Sequence, residues 1–246
     1  MVVAAASSVT AIIPCLDEEE AIGPVVDRLA RYGLAEIIVV DGGSQDRTVE
    51  VARAAGARVV HAPRRGYGLA LRAGLAASSP RNRIVLFLDG DGSDPLEAIP
   101  ALLQPIEQDV ADFVIGSRLR GEREPGSLAP AQILAGRLVG LLIWLRYGVS
   151  FTDMSPLRAI RRDVLDGLGM HAESYGWNLE MQMRVAAQRR RILELPVGQK
   201  RRVGGRSKVS GSSAALRATL VLASTFVRLA LTPSAARGAP PRRRGS

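Results

Sequence analysis

The chain has 246 residues, 47% hydrophobic and 23% charged, with 33 Lys and Arg against 24 Asp and Glu for a formal net charge of +9. That length fits one large α/β domain, or one domain with a small appendage, able to bury a core without disulfides or oligomerisation. One cysteine and two histidines exclude an intramolecular disulfide and a Cys/His zinc cluster, and point to a reducing, cytosolic setting.

Met1–Ser8 lacks a basic n-region and a long apolar run, so it reads as a frayed lead-in rather than a targeting signal. Short apolar runs then alternate with helical patterns, which predicts βαβ units on a mainly parallel sheet. The predicted strands are Val9–Pro14, Glu36–Val40, Arg58–His61, Arg83–Leu88 and Asp112–Ile115. The predicted helices between and after them are Glu20–Tyr32, Asp46–Ala55 (with Ser44 or Asp46 as cap), Gly66–Ala77 and Pro95–Glu107. In the second half, helices are expected over Leu134–Tyr147, Arg158–Leu168 and Trp177–Gln188, and a strand over Ile192–Val197. A basic Gly/Ser segment, Val203–Ser213, leads to a last helix, Ala214–Leu231, and a disordered Pro/Gly/Arg tail, 232–246. No run reaches the ~20 uninterrupted apolar residues that span a bilayer. The predicted helices at 134–147 and 214–231 mix apolar residues with arginines and either lie at a membrane interface or pack in the core.

The excess positive charge falls late, in Arg189–Arg191, Lys200–Arg202, Arg206, Lys208 and Arg242–Arg244. Such runs suit nucleic acid, an anionic membrane face or phosphorylated substrates, or simply a solvated surface. No aromatic-basic interleaving or nucleic-acid motif accompanies them, which argues against a nucleic-acid partner.

Ligands of doubly wound sheets sit at the carboxyl ends of the strands, and carboxylates recur there: Asp17 after the first strand, Asp41 at the end of the second, Asp89 and Asp91 after the fourth. Charged residues are rarely buried unpaired, so this edge calls for a cation or polar ligand. Asp89-Gly90-Asp91 alone is either a Gly/Asp turn after a buried strand or a site for a hard divalent cation, Mg²⁺ or Mn²⁺, that takes its remaining oxygens from substrate phosphates. The other carboxylates on the same edge favour the metal. Asp41-Gly42-Gly43-Ser44 is either a capped βα turn or a loop that lets backbone approach a ligand. Neither a G-x-G-x-x-G fingerprint nor a P-loop is present, against a dehydrogenase or an NTPase.

Together these pieces resemble the family 2 glycosyltransferases, and most closely the polyprenyl-phosphate (dolichyl-phosphate-like) hexose synthases, over about Val9 to Leu231. The carrying segments are Ile12-Ile13-Pro14-Cys15-Leu16-Asp17-Glu18, Asp41-Gly42-Gly43-Ser44, Asp89-Gly90-Asp91, the strand ending Gly116-Ser117-Arg118, Thr152–Ala159, Trp177–Met181 and Arg202–Lys208. The departures are Gly42, where the family usually has a second Asp, and Ser155 and Leu157 for common Gly and Phe. The resemblance implies a GT-A fold over 1–231, with a donor half at 9–118 and an acceptor-side half at 119–231. It implies an inverting transfer of a hexose from a UDP- or GDP-sugar to a polyprenyl phosphate. Pro14, Cys15, Leu16, Asp17, Glu18, Asp41, Gly42, Ser44, Gly66, Asp89 and Gly90 would then serve the donor. Asp89 and Asp91 would hold the metal, and Arg118, Arg137, Arg158, Arg202, Arg206 and Lys208 the acceptor phosphate. The catalytic set would be Asp91, Asp153, Glu180 and Arg118, with Asp153 and Glu180 either bases or partners of nearby arginines. A peripheral place on an anionic membrane face fits the late basic cluster. The competing readings are transfer to a soluble or glycan hydroxyl, and a nucleotide-sugar-binding regulator without turnover.

Overall fold

The computed structural model of the chain describes residues 8–204 and 212–231. The lead-in Met1–Ser7, most of the basic Gly/Ser segment with Arg206 and Lys208, and the tail 232–246 lie outside the described residues.

Seven strands form one sheet in the order β3-β2-β1-β4-β6-β5-β7. They are β1 (Val9–Cys15), β2 (Glu36–Asp41), β3 (Arg58–His61), β4 (Ile84–Phe87), β5 (Phe113–Ser117), β6 (Arg158–Arg161) and β7 (Ile192–Pro196). All neighbours run parallel except β6, which is antiparallel to both β4 and β5. The helices are α1 (Ile22–Ala30), α2 (Thr48–Ala54), α3 (Tyr67–Ala77), α4 (Ile99–Glu107), α5 (Pro130–Tyr147), α6 (Arg162–Asp166), α7 (Gly176–Ala187) and α8 (Ser212–Leu231).

The central strands are apolar on both faces, as helices on both sides require. Val9, Ala11 and Ile13 of β1 point into a cluster with Ile22, Val26 and Leu29 of α1 and Leu102 and Ile106 of α4. Ile12 points the other way, into a cluster with Leu71 of α3, Ile143 of α5 and Trp177 and Met181 of α7. Every predicted element of the first half is present, its ends within two residues of the expected ones, apart from a 3₁₀ turn at Leu96–Ala98 that opens the helix predicted from Pro95. The N-cap of α2 is Arg47 rather than Ser44 or Asp46; Asp46, one residue earlier, accepts from the Thr48 amide at 2.9 Å.

In the second half α5 begins four residues before the expected Leu134, at Pro130, and one element differs in kind. The helix predicted over Arg158–Leu168 is a strand followed by a short helix, β6 and α6. Arg158-Ala159-Ile160 is inserted between β4 and β5 and almost wholly buried, so ladder pairing on two sides overrides the helical spacing of the apolar residues.

Two glycines of α5 behave differently. A Cβ on Gly140 would overlap the backbone carbonyl of Phe151, whereas one on Gly136 would meet nothing nearer than 3.7 Å. Alanine in a helix interior is favoured over glycine by about 1 kcal/mol, but overpacking against backbone costs about 1–3 kcal/mol. Gly140→Ala is therefore expected to destabilise the protein by about 1–2 kcal/mol in urea unfolding, while Gly136→Ala is neutral or mildly stabilising. Equal effects of the two changes would contradict this packing.

Candidate functional site

The carboxyl ends of β1, β2 and β4 meet at one edge. Cys15 lies in register with Asp41, and Gly90 passes so near that any side chain on it would overlap the Cys15 sulfur. Gly92 takes a positive φ of 73° and completes the turn. This tight Asp-Gly-Asp-Gly turn brings Asp89, Asp91 and the buried Asp94 together. Asp91 accepts from the Ser93 amide at 2.9 Å and the Ser93 hydroxyl at 2.6 Å. Asp94 accepts the Asp89 amide at 2.9 Å, and Tyr67 at the start of α3 donates its hydroxyl to Asp89 at 3.3 Å. Burial, then the neighbouring charge of Asp91, pushes the Asp89 carboxyl up to about 7. Burial and the Asp89 charge push Asp94 up as well.

So dense a set of carboxylates calls for a cation. One is supplied from far along the chain: the Arg202 guanidinium pairs with Asp91 at 2.8 Å and with Glu18 at 2.9 Å. The segment carrying it is fastened to the turn by the Val203 amide on the Asp91 carbonyl and the Lys200 amide on the Ser93 carbonyl. Among the described residues no group of three His, Cys, Asp or Glu side chains encloses a metal position. Asp89 and Asp91, separated by one glycine on this turn, fit Mg²⁺ or Mn²⁺, which binds through one or two carboxylates and takes its remaining ligands from phosphates and water.

The donor-side residues expected from the sequence surround this edge and brace one another. Asp41 accepts from the amides of Gly43 and Ser44 at 3.1 and 3.0 Å and pairs with His61 at 3.2 Å. Burial alone would raise its carboxyl, but the hydrogen bonds from Ser44, Gly43 and His61 hold it below the usual range. Asp17 sits at φ 54°, donates its amide to the Ser44 hydroxyl at 3.0 Å and accepts the Gln45 amide at 2.8 Å. Gly42 donates to the Cys15 carbonyl at 2.8 Å. Pro14 and Leu16 flank Cys15, whose thiol is pushed up by burial and the surrounding carboxylates and is no nucleophile. Gly66 presses against the Glu173 carbonyl, where a Cβ would stand 2.6 Å away.

Arg118, expected to serve the acceptor, and Asp153 form a two-pronged ion pair, 2.7 and 2.8 Å, with the Arg118 amide adding a third bond at 3.0 Å. Asp153 is 3% exposed. Burial would raise its carboxyl; Arg118 outweighs that and holds it low. Glu180 is fully buried, accepts the amides of His171 and Ala172 at 3.0 and 2.6 Å, and pairs with Arg184 at 2.8 Å. Both carboxylates are thus engaged in holding backbone and arginines.

Arg158 needs correction as a ligand of the acceptor. It is fully buried in β6, donates to the carbonyls of Ser155 and Asn178, and lies over the Phe113 ring at 6.0 Å. Burial pushes its guanidinium down to about 10. Arg202, also expected to hold the acceptor phosphate, pairs instead with Asp91 and Glu18 at the strand-end edge. Arg137 is exposed on α5 and borders a cleft of about 480 Å³ with Arg120, Leu141, Trp144 and Phe151, and with Leu119, the chain neighbour of Arg118. Tyr67, Tyr175 and Asp94 were not singled out in the sequence. Tyr67 had one usable signal, an aromatic residue directly after Gly66 at a helix start on the ligand-bearing edge.

The model of the family described as Glycosyl transferase family 2 matches residues 10–169. An uncharacterized glycosyltransferase of Mycobacterium tuberculosis is 38% identical over 213 residues, 85% of this chain and 92% of that one. A dolichyl-phosphate hexose transferase of Haloferax volcanii is 35% identical over 193 residues, 76% of this chain and 81% of that one. Among solved structures, glucosyl-3-phosphoglycerate synthase from M. tuberculosis in complex with Mn²⁺, UDP and phosphoglyceric acid has a TM-score of 0.72 at 25% identity, over 92% of this chain and 79% of that one.

Proposed function

Because the chain belongs to glycosyl transferase family 2 and has the GT-A fold, we propose that it transfers a hexose from a UDP- or GDP-linked donor to the phosphate of a polyprenyl phosphate, with inversion. The observation that carries the choice of acceptor is the full engagement of Asp153 and Glu180. A hydroxyl acceptor needs a positioned base, and both candidate bases are tied up with arginines and backbone amides. A phosphate monoester is already anionic near neutral pH and needs none. The cleft lined by Leu119 and Thr152, the chain neighbours of Arg118 and Asp153, mixes the cations Arg120 and Arg137 with Leu141 and Trp144, which suits a phosphate attached to a hydrocarbon chain. The name of the Haloferax relative agrees with such an acceptor.

In this reading residues 9–118 serve the donor and 119–231 the acceptor. Asp89 and Asp91 hold Mg²⁺ or Mn²⁺, which when bound neutralises charge on the diphosphate. Asp17, Asp41, Ser44 and Gly42 shape the nucleotide's bed, and Arg118, fixed by Asp153, orients the acceptor phosphate. An acceptor phosphate oxygen forms the bond to the anomeric carbon from the face opposite the leaving group. The bond from that carbon to the diphosphate oxygen breaks, and its electron pair leaves with the nucleoside diphosphate. No proton has to be removed.

No helix among the described residues is long and apolar enough to cross a membrane. Helix α5 exposes Leu134, Leu138, Leu141 and Leu145, each more than half accessible, at helical spacing beside Arg137. That stripe supports peripheral contact with an anionic cytoplasmic membrane face.

The likeness to glucosyl-3-phosphoglycerate synthase favours a second reading, a soluble phosphorylated acceptor that is glycosylated on a hydroxyl. Incubation with Mn²⁺ or Mg²⁺, radiolabelled UDP- and GDP-hexoses and a polyprenyl phosphate in detergent separates the two. Chelator-sensitive label in the organic phase is the expected result. Label only in a water-soluble product formed from phosphoglycerate would overturn the lipid acceptor.

A further inference from the structure

Two tyrosines stand at the metal edge without a part in the reaction described so far. Tyr67 opens α3 and donates to Asp89 at 3.3 Å. Tyr175 lies just before α7, with its ring stacked on that of Tyr67 at a centroid distance of 6.2 Å and an interplanar angle of 25°. Tyr67 is held by several independent contacts. The Leu69 amide donates to the Glu173 carbonyl at 3.1 Å, Arg64 pairs with Glu173 at 2.6 Å, and side chains on Gly66 or Gly68 would collide with the backbone of residues 172 and 173. That stretch is itself anchored by the buried Glu180 through the His171 and Ala172 amides. A rigid line of contacts therefore runs from Glu180 through the 171–173 backbone to Tyr67 and ends on a carboxylate of the metal motif.

Tyr175 is different, since 41% of it remains exposed. Its stack on Tyr67, which bonds Asp89, places it beside the carboxylate edge, and the charge of Asp89, after burial, raises its phenol while Arg202 acts in the opposite sense. An aromatic ring that is partly exposed and stacked on a second ring presents a negative π surface. The polarised C–H bonds on one face of a pyranose complement such a surface.

We propose that Tyr67 and Tyr175 form one wall of the donor-sugar subsite, with Tyr67 a positioning residue for Asp89 and Tyr175 a specificity-determining contact for the hexose ring. This rests on the donor reading above and adds the residues that distinguish a nucleotide-sugar from the bare nucleotide.

The two roles come apart in binding measurements that need no acceptor. With Mn²⁺ present, calorimetry gives Kd for the UDP- or GDP-hexose that the wild type binds and for the corresponding nucleoside diphosphate. Tyr175→Ala is expected to weaken the nucleotide-sugar about tenfold and leave the nucleoside diphosphate within about twofold, with Tyr175→Phe close to wild type. Tyr67→Phe keeps the stack and loses the hydroxyl. It should weaken Mn²⁺ binding, read by electron paramagnetic resonance of the free ion, about three- to tenfold, and weaken both nucleotides by one common factor. Tyr175→Ala weakening both ligands equally, or neither, would overturn the sugar contact. Unchanged Mn²⁺ affinity in Tyr67→Phe would overturn the positioning role. If the wild type binds no nucleotide-sugar at all, the donor reading itself falls, and the wall with it.

Discussion

Asp91→Asn is expected to lower kcat/KM by about a thousandfold while the protein stays folded. Asparagine keeps an oxygen that can accept from the Ser93 amide and hydroxyl, so the turn survives. What is lost is the charge. A bound divalent cation contributes several kcal/mol to stabilising a departing diphosphate, and ~4 kcal/mol corresponds to about a thousandfold in rate. The stability change is small because two effects oppose each other. Asp89 is relieved of a like charge that helps push its carboxyl up to about 7, while Arg202 gives up one of the two carboxylates it bridges. Steady-state kinetics with a Mn²⁺ titration, alongside a thermal melt, checks both halves. Activity within tenfold of wild type at saturating Mn²⁺ would remove Asp91 from the metal site.

Asp153→Ala is expected to destabilise the fold by about 3 kcal/mol and to abolish productive use of the acceptor. Removing one member of a buried ion pair leaves the other charge without compensation, at about 3–5 kcal/mol. The lower figure applies because the Arg118 side chain keeps 15% of its exposure. The amides of Arg118 and Met154 lose their acceptor as well. The double variant Arg118→Met, Asp153→Ala should recover part of the stability but none of the activity, since no orphaned charge remains while the acceptor phosphate has lost its guanidinium. Urea unfolding of the two variants checks the pairing, while a general base at Asp153 predicts instead a large loss of kcat with the acceptor KM unchanged.

The first half of the fold was legible because its central apolar runs, β1, β4 and β5, are strands buried on both faces and each intervening segment has helical spacing. The acidic strand ends were legible for a related reason, since Asp41, Asp89 and Asp91 directly follow runs that had to be strands. Arg158–Arg161 was not, because four residues are too few to separate a period of two from one of 3.6, and a charged residue is a poor signal for the middle of a sheet. The partner of Asp91 was also hidden. Arg202 lies more than a hundred residues along the chain, and the basic run around it reads equally well as a solvated surface. Glu180 was visible as a residue of interest, but only the geometry distinguishes a base from an anchor for the 171–173 backbone.

Arg202 has a consequence for how the protein lives without its ligands. Because the chain brings its own counter-ion to Glu18 and Asp91, the empty site is not a cluster of repelling charges that only a metal can hold together. Chelation should leave the fold standing, in contrast to small domains whose folding is driven by metal binding. Under the proposed function, loading with a divalent metal is a trade of one cation for another. The apparent affinity for the bare ion is then reduced by whatever the arginine's pairing with Asp91 and Glu18 is worth. An ion arriving with a diphosphate has the advantage, because the displaced guanidinium then has phosphate oxygens to turn to.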